Sequence, residues 1–155
     1  MSQTIISADD YRLEPAGWRD ALAIHRLEQI VFPLDSYSPL EVLFLLLWRG
    51  LHNLKAVAPE GGLVGFVSAG RLPVSGKTWI ITIGVHPDHQ RRGVGRRLLE
   101  AAEAALDSQA IYLTVRQSNV RAIQLYERAG YRRVNLKVHY YPGGEDGVEM
   151  RKDRL

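Results

Sequence analysis

The chain has 155 residues, of which 46% are hydrophobic and 24% charged, with a formal net charge of +3. That length suits one domain, 1–155, around one core, and the composition excludes a mainly disordered chain. The absence of cysteine excludes disulfides, thiol nucleophiles and thiolate metal sites.

The opening stretch MSQTIISADD lacks a basic segment followed by an apolar one, so no secretory signal is expected. YRLEP (11–15) reads as a short first strand. Residues 18–31 read as a helix with Leu22, Leu27, Ile30 and Val31 among its apolar positions, broken at Pro33 in FPLDSY. Ser38 then caps a second helix, with Pro39 at its first position and Glu41 closing a capping box; Gly50 ends it. This helix, PLEVLFLLLW, is apolar almost all round, more than packing on a sheet requires. Either its own loops bury it, or it meets a partner subunit in a homodimer, or it meets an apolar peptide. Its apolar run, VLFLLLW (42–48), is too short to span a bilayer, so a cytoplasmic protein without membrane contact is expected.

LKAVA (54–58), PEGG and LVGFVSAG (63–70) read as strand, turn and strand, and TWIITIGV (78–85) as a buried strand. From Gly93 to about Asp107 the period changes to that of a helix, with Val94, Leu98, Leu99, Ala102, Ala105 and Leu106 on one face. IYLTV (111–115) is another strand, and Ser118 or Asn119 caps a helix ending at Gly130. YRRVNLKVHYY (131–141) and GVEMR (147–151) form a final antiparallel pair. The fold class is α/β: a single mixed, mostly antiparallel sheet of about six or seven strands with about four helices.

HQRRGVGRRLLE (89–100) concentrates Arg91, Arg92, Arg96 and Arg97 around Gly93 and Gly95 between a strand and a helix. A P-loop is not the explanation. The nearest match, GRLPVSGKT (70–78), has five residues between its glycines instead of four and runs into a strand. A dinucleotide fingerprint fails too, because Leu98 stands at its third glycine. What remains is an anion held at a helix N-terminus. There free N–H groups and the positive dipole end face the ligand, glycines admit close approach, and arginines add charge-assisted hydrogen bonds. The spacing therefore predicts a pyrophosphate site; the alternative is a solvated basic helix start. Nucleic acid is disfavoured because no aromatic residues stand beside the arginines to stack on bases. Five scattered histidines form no metal constellation.

Gln90-Arg91-Arg92-Gly93-Val94-Gly95 resembles the Q/R-x-x-G-x-G/A signature of the GNAT acetyltransferase superfamily. TIGVHPDHQRRGVGRRLLEAAE, VRQSNVRAIQLYERAGY and VHYYPGGEDGVEM are similar to its ribosomal-protein-alanine N-acetyltransferase (RimI-like) branch. FPLDSY resembles the peptide-site segment of related N-terminal acetyltransferases. The resemblance implies acetyl-CoA as co-substrate, no metal, and splayed central strands at the acetyl-CoA site. It implies that backbone groups of Ile83, Gly84 and Val85 pair with the pantetheine. Arg91, Arg92, Gly93, Val94, Gly95 and Arg96 would hold the pyrophosphate. Asn119 would contact the pantetheine arm, and could equally be a simple N-cap. Tyr126 stands at the general-acid position, or packs as a core aromatic. The acceptor side would comprise Phe32, Asp35, Tyr37, Thr114 and Tyr140.

One departure matters. The branch places a glutamate, read as the base, where this chain has Thr114, and threonine is no base near neutral pH. In branches that use a tyrosine and a histidine, those positions fall on Trp79 and again on Thr114. A base would then come from Asp35, Glu28, His25 or a water chain. His86 and His89 read as solvated loop residues. The implied activity is N-acetylation of a protein N-terminal α-amine. The alternatives are acetylation of a small amine, with Asp35, Glu145 and Asp146 suiting a cation, and an acyl-CoA-binding module without catalysis.

Overall fold

The computed structural model describes residues 6–154; residues 1–5, half of the opening stretch in which no secretory signal is expected, and Leu155 lie outside it. Seven strands, β1 (Arg12–Pro15), β2 (Leu51–Val57), β3 (Leu63–Arg71), β4 (Thr78–Val85), β5 (Ala110–Arg116), β6 (Arg132–Lys137) and β7 (Gly147–Asp153), form one sheet in the order β1-β2-β3-β4-β5-β7-β6. Four helices, α1 (Ala21–Val31), α2 (Pro39–Leu47), α3 (Val94–Ala105) and α4 (Val120–Arg128), cover its two faces. Alternation along β3 builds both cores at once, since successive strand residues point to opposite faces. Val67 and Ala69 pack with Leu98 and Leu99 of α3, while Phe66 packs with Ile24, Leu27 and Val42 of α1 and α2.

All neighbouring strands are antiparallel except β4 and β5, which the crossover through α3 makes parallel. These two pair only at Thr78↔Ile111 and Trp79↔Tyr112. Just beyond, Ser68 of β3 faces Thr82 while Ala69 faces Ile80, so Ile81 is an extra residue in β4. Such a bulge bends its strand. Residues 80–85 of β4 are left without partners on the β5 side, and a wedge opens in the middle of the sheet.

Three sequence expectations change. YRRVNLKVHYY does not run as one strand: β6 stops at Lys137, because His139 takes a left-handed φ of +53° and donates its N–H to the Asp146 carboxylate at 2.8 Å. Tyr140 thus sits in a connection, not in a strand. The first helix begins at Ala21 after a short turn over 18–20. The capping box of α2 forms as expected, with Ser38 Oγ accepting from the Glu41 amide at 3.2 Å and Glu41 accepting from the Ser38 amide at 2.7 Å. However, α2 buries only Val42 and Leu45 and leaves Leu40, Phe44 and Leu47 exposed, so its own loops do not cover it.

Candidate active site

The strand–loop–helix junction turns its amides toward one point. Arg91 and Gly93 have left-handed φ values of +63° and +81°, and Gly93 caps α3. Backbone turns of this kind aim successive N–H groups into a concavity that favours anions. The first amide to find a helical partner is that of Arg97, on the Gly93 carbonyl at 3.1 Å, which leaves the amides of Val94, Gly95 and Arg96 at the helix start. A Cβ on Gly95 would stand 3.7 Å from Leu125 and from Val85, ordinary contacts that the protein alone would tolerate. A glycine there makes sense if a ligand, not a neighbouring side chain, comes close. This junction fits a pyrophosphate.

The four arginines divide their work. Arg92 donates to the Tyr11 hydroxyl at 2.8 Å, and Arg97 donates to the carbonyls of Ala8 and, at 2.9 Å, Tyr11. Both therefore fasten the N-terminal segment, and the Arg92 side chain is spent there instead of at the anion cradle. Arg91 and Arg96 line the cleft, Arg96 holding only an exposed pair with Glu100 at 2.9 Å. His89 joins the Tyr11 hydroxyl at 2.8 Å and is no free loop residue. Gln90 donates to the Val85 carbonyl at 2.9 Å and accepts from Arg121 at 2.9 Å, tying the end of β4 to α4.

From this cradle a cleft of about 1820 Å³ runs along the open edge of β4. Ile83, Gly84 and Val85 form one wall. Gly84 is fixed by packing: a Cβ there would come within 3.2 Å of the Phe32 ring and 3.1 Å of Val31. The far wall is the start of α4, where Asn119 accepts from the Ala122 amide at 3.2 Å and lines the cleft. Tyr126, seven residues on, shares its helical face. Tyr126 is only 7% exposed, with its ring 6.1 Å from that of Tyr131, and burial pushes its hydroxyl well above the ordinary tyrosine range. It keeps its proton at neutral pH.

At the other end the charges are mostly spoken for. Arg116 grips both Asp35 oxygens, at 2.5 and 2.6 Å, reaches Glu145 at 2.6 Å, and stands over the Tyr141 ring at 4.6 Å. Hydrogen bonds from Ser118, then Arg116, pull the Glu145 carboxyl down to about 2. Asp146 serves the His139 amide. The acidic groups that would have suited a cation are thus committed internally. Replacing Arg116 by Met should free the segments around Asp35 and Glu145. We expect KM for the acceptor to rise roughly tenfold, equal to about 1.4 kcal/mol, with acetyl-CoA affinity unchanged in a steady-state titration.

Two acceptor-side residues escaped the sequence reading. Lys137 donates to Thr114 Oγ1 at 3.1 Å, lies 3.4 Å from Glu149, and sits between the rings of Trp79 and Tyr140 at 4.8 and 4.7 Å. Glu149 is the cross-strand partner of Thr114 in the β5–β7 register. A carboxylate therefore stands one strand away from where the branch keeps its own. Thr114, Phe32, Asp35, Tyr37 and Tyr140 all line the same cleft. His25 is turned to the Tyr37 carbonyl at 3.0 Å, and the Tyr37 hydroxyl is pushed up to about 12 by burial and then by Glu28. Among the described residues no cluster of His, Asp and Glu is placed to hold a metal, and no helix is long and apolar enough to cross a membrane.

Known proteins resemble the chain in sequence and in fold. The chain is 40% identical over 109 residues to the Mycobacterium tuberculosis N-alpha-acetyltransferase RimI, covering 66% of this chain and 67% of that protein. It is 42% identical over 77 residues to the Salmonella typhimurium [ribosomal protein bS18]-alanine N-acetyltransferase, covering 46% of this chain and about half, 52%, of that relative. The crystal structure of the Escherichia coli ribosomal-protein-S18-alanine N-acetyltransferase superposes with a TM-score of 0.82 at 26% identity, over 94% of this chain and 95% of that one. Arabidopsis thaliana NAA60 in complex with a bisubstrate analogue shares the fold at a TM-score of 0.80 and 21% identity, over 93% and 98% of the two chains. Residues 21–131 match the family described as the Acetyltransferase (GNAT) family. With its wedge, its glycine-capped helix and its buried tyrosine in one cleft, the chain belongs to the GNAT family of acetyl-CoA-dependent N-acetyltransferases.

Proposed function

We propose that the chain transfers the acetyl group of acetyl-CoA to the N-terminal α-amine of a protein or peptide, by direct attack in a ternary complex. The observation that carries this reading is one continuous cleft lined by Arg91 and Arg96 of the basic junction, by Phe32, Tyr37 and Tyr140, and by Tyr126. Two substrates can lie end to end in it, so no covalent enzyme intermediate is needed, and the chain has no cysteine to form a thioester. The relatives named above, several of them N-terminal acetyltransferases, support the same acceptor class.

In this reading the pantetheine adds to β4 as a strand would, against Ile83–Val85, and Asn119 meets its arm. A β4 amide in the wedge donates to the oxyanion that develops on the thioester carbonyl. Tyr126 protonates the departing thiolate. The acid groups around Arg116 are neutralised, which disfavours a polyamine and leaves apolar and aromatic walls for a peptide end.

An α-amine has an ordinary pKa of about 7.7–8.0, whereas a lysine side chain lies near about 10.4 and is almost wholly protonated at neutral pH. We expect turnover on N-terminal peptides to exceed that on lysine side chains and polyamines, and to rise between pH 6 and pH 9. A panel of those three amine classes with acetyl-CoA tests it. A strong preference for lysine or polyamine would overturn the N-terminal assignment. Binding of CoA without turnover on any amine would make the chain a binding module.

A further inference from the structure

The acceptor end contains three carboxylates that could replace the one missing at Thr114, and their surroundings separate them. Both oxygens of Asp35 are held by Arg116. Glu149 is paired with Lys137 at 3.4 Å and, unlike Lys137, does not line the cleft. Glu28 differs from both. It lies on α1, is 4% exposed and lines the cleft. One of its oxygens accepts from the Thr82 hydroxyl at 2.8 Å, and the other has no hydrogen-bond partner among the described residues. A buried polar atom left without a partner is costly, on the order of 1–3 kcal/mol and more for a charged group. Thr82 is the β4 residue immediately before Ile83, so its hydroxyl anchors the carboxyl beside the strand along which the thioester would lie.

We infer that Glu28 is the general base of the reaction, taking the proton of the attacking amine through its free oxygen, directly or across one water. This rests on the acetyltransferase reading. The nitrogen lone pair forms the C–N bond to the thioester carbonyl carbon, and collapse of the tetrahedral intermediate breaks the C–S bond. The proton released by nitrogen goes to the Glu28 carboxylate, the thiolate takes the Tyr126 proton, and solvent returns a proton from Glu28 to Tyr126. Amide and CoA thiol are the products. The groups around the carboxyl suit the task. Burial raises its proton affinity, and the Thr82 bond, the Tyr37 backbone and His25 oppose that only in part. Its direct partner is a hydroxyl, not a cation, so the charge is not quenched. The other titratable groups facing it are the His25 ring and the Tyr37 hydroxyl, the latter itself held protonated.

The test is Glu28→Gln, which keeps the shape and can still accept from Thr82 but cannot take a proton. Its kcat and the wild-type kcat are measured from pH 6 to pH 9 on an N-terminal peptide, with acetyl-CoA binding followed separately by thermal shift. We expect kcat to fall by on the order of 10²-fold or more, KM for acetyl-CoA to stay put, and the variant to lose the part of the pH rise that belongs to Glu28. A raised carboxyl makes the fold lose stability as pH rises through its folded pKa. The melting temperature of the wild type, taken relative to that of E28Q, should therefore fall as pH rises above the ordinary carboxylate range. Wild-type turnover and an unchanged pH profile in E28Q overturn the inference and leave the acetyltransferase reading intact. A wild-type chain that binds acetyl-CoA but acetylates no amine overturns both. If E28Q does not fold, Glu28→Ala with added formate decides: restored turnover supports the base, and none overturns it.

Discussion

Replacing Tyr126 by phenylalanine is expected to lower turnover by on the order of 10²-fold or more while leaving acetyl-CoA binding unchanged. The substitution removes one oxygen and no packing atom from a side chain that is 7% exposed and sits edge-on to Tyr131 at 6.1 Å between ring centres. Stability should therefore change little, and a lost rate reports on the hydroxyl. Burial alone accounts for the raised proton affinity of Tyr126. In water such an acid would be poorly matched to a thiol of pKa about 8.5. A thiolate departing beside this buried hydroxyl would itself be partly desolvated, which would raise its proton affinity as well, so transfer between them would be closer to balanced than solution values imply. Because the hydroxyl stays protonated well above neutral pH, the wild-type rate should show no fall from loss of this acid up to pH 9. Wild-type turnover in Tyr126→Phe would reduce Tyr126 to a packing partner of Tyr131 and pass the proton to water.

The elements were readable because each obeys a local rule. The apolar period changes from that of TWIITIGV to that of a helix across a glycine with φ of +81°, and the junction built there carries the free amides that begin α3. The Ser38 cap and the order of strands and helices follow in the same way. Partners far apart in the chain were not readable. An arginine in a glycine-rich stretch looks the same whether it faces a ligand or, as Arg92 does, a tyrosine at position 11. Asp35 reads as an open acid until Arg116, 81 residues away, is seen to hold both its oxygens. The Thr114–Lys137–Glu149 contact depends on strand register, which no local pattern encodes. Glu28 did leave a signal. Ile24, Leu27, Glu28 and Val31 follow the i, i+3, i+4, i+7 spacing of a buried helical stripe, so a carboxylate occupies an apolar position. Such a residue breaks the local rule for burial, and breaks of that kind concentrate at functional sites.

Acetyl-CoA should raise the melting temperature of the chain, and changing Arg91 and Arg96 together to alanine should roughly halve that rise. A ligand that binds only the folded state stabilises it by mass action, about 2.7 kcal/mol when its free concentration is a hundredfold above Kd. For a domain of this size roughly 2–4 °C follows from each kcal/mol, so a rise of roughly 5–11 °C is expected. The two arginines are the pair to change because they line the cleft, whereas Arg92 and Arg97 hold the Ala8–Tyr11 segment and their loss would loosen the fold itself. The Arg96–Glu100 pair is solvent-exposed, at 73% and 58% for the two side chains, so releasing it for a phosphate costs little. A tenfold loss of affinity in the double variant would leave about 1.4 kcal/mol at the same acetyl-CoA concentration. The remaining shift would come from the amides of Val94, Gly95 and Arg96, which the substitutions do not touch. Added salt screens exposed charges within a few ångströms of one another less than distant ones, yet still weakens them; the wild-type shift should therefore shrink with salt more steeply than that of the variant. An equal shift in both proteins would assign the pyrophosphate to the backbone alone, and no shift at millimolar acetyl-CoA would remove the cofactor from this cleft.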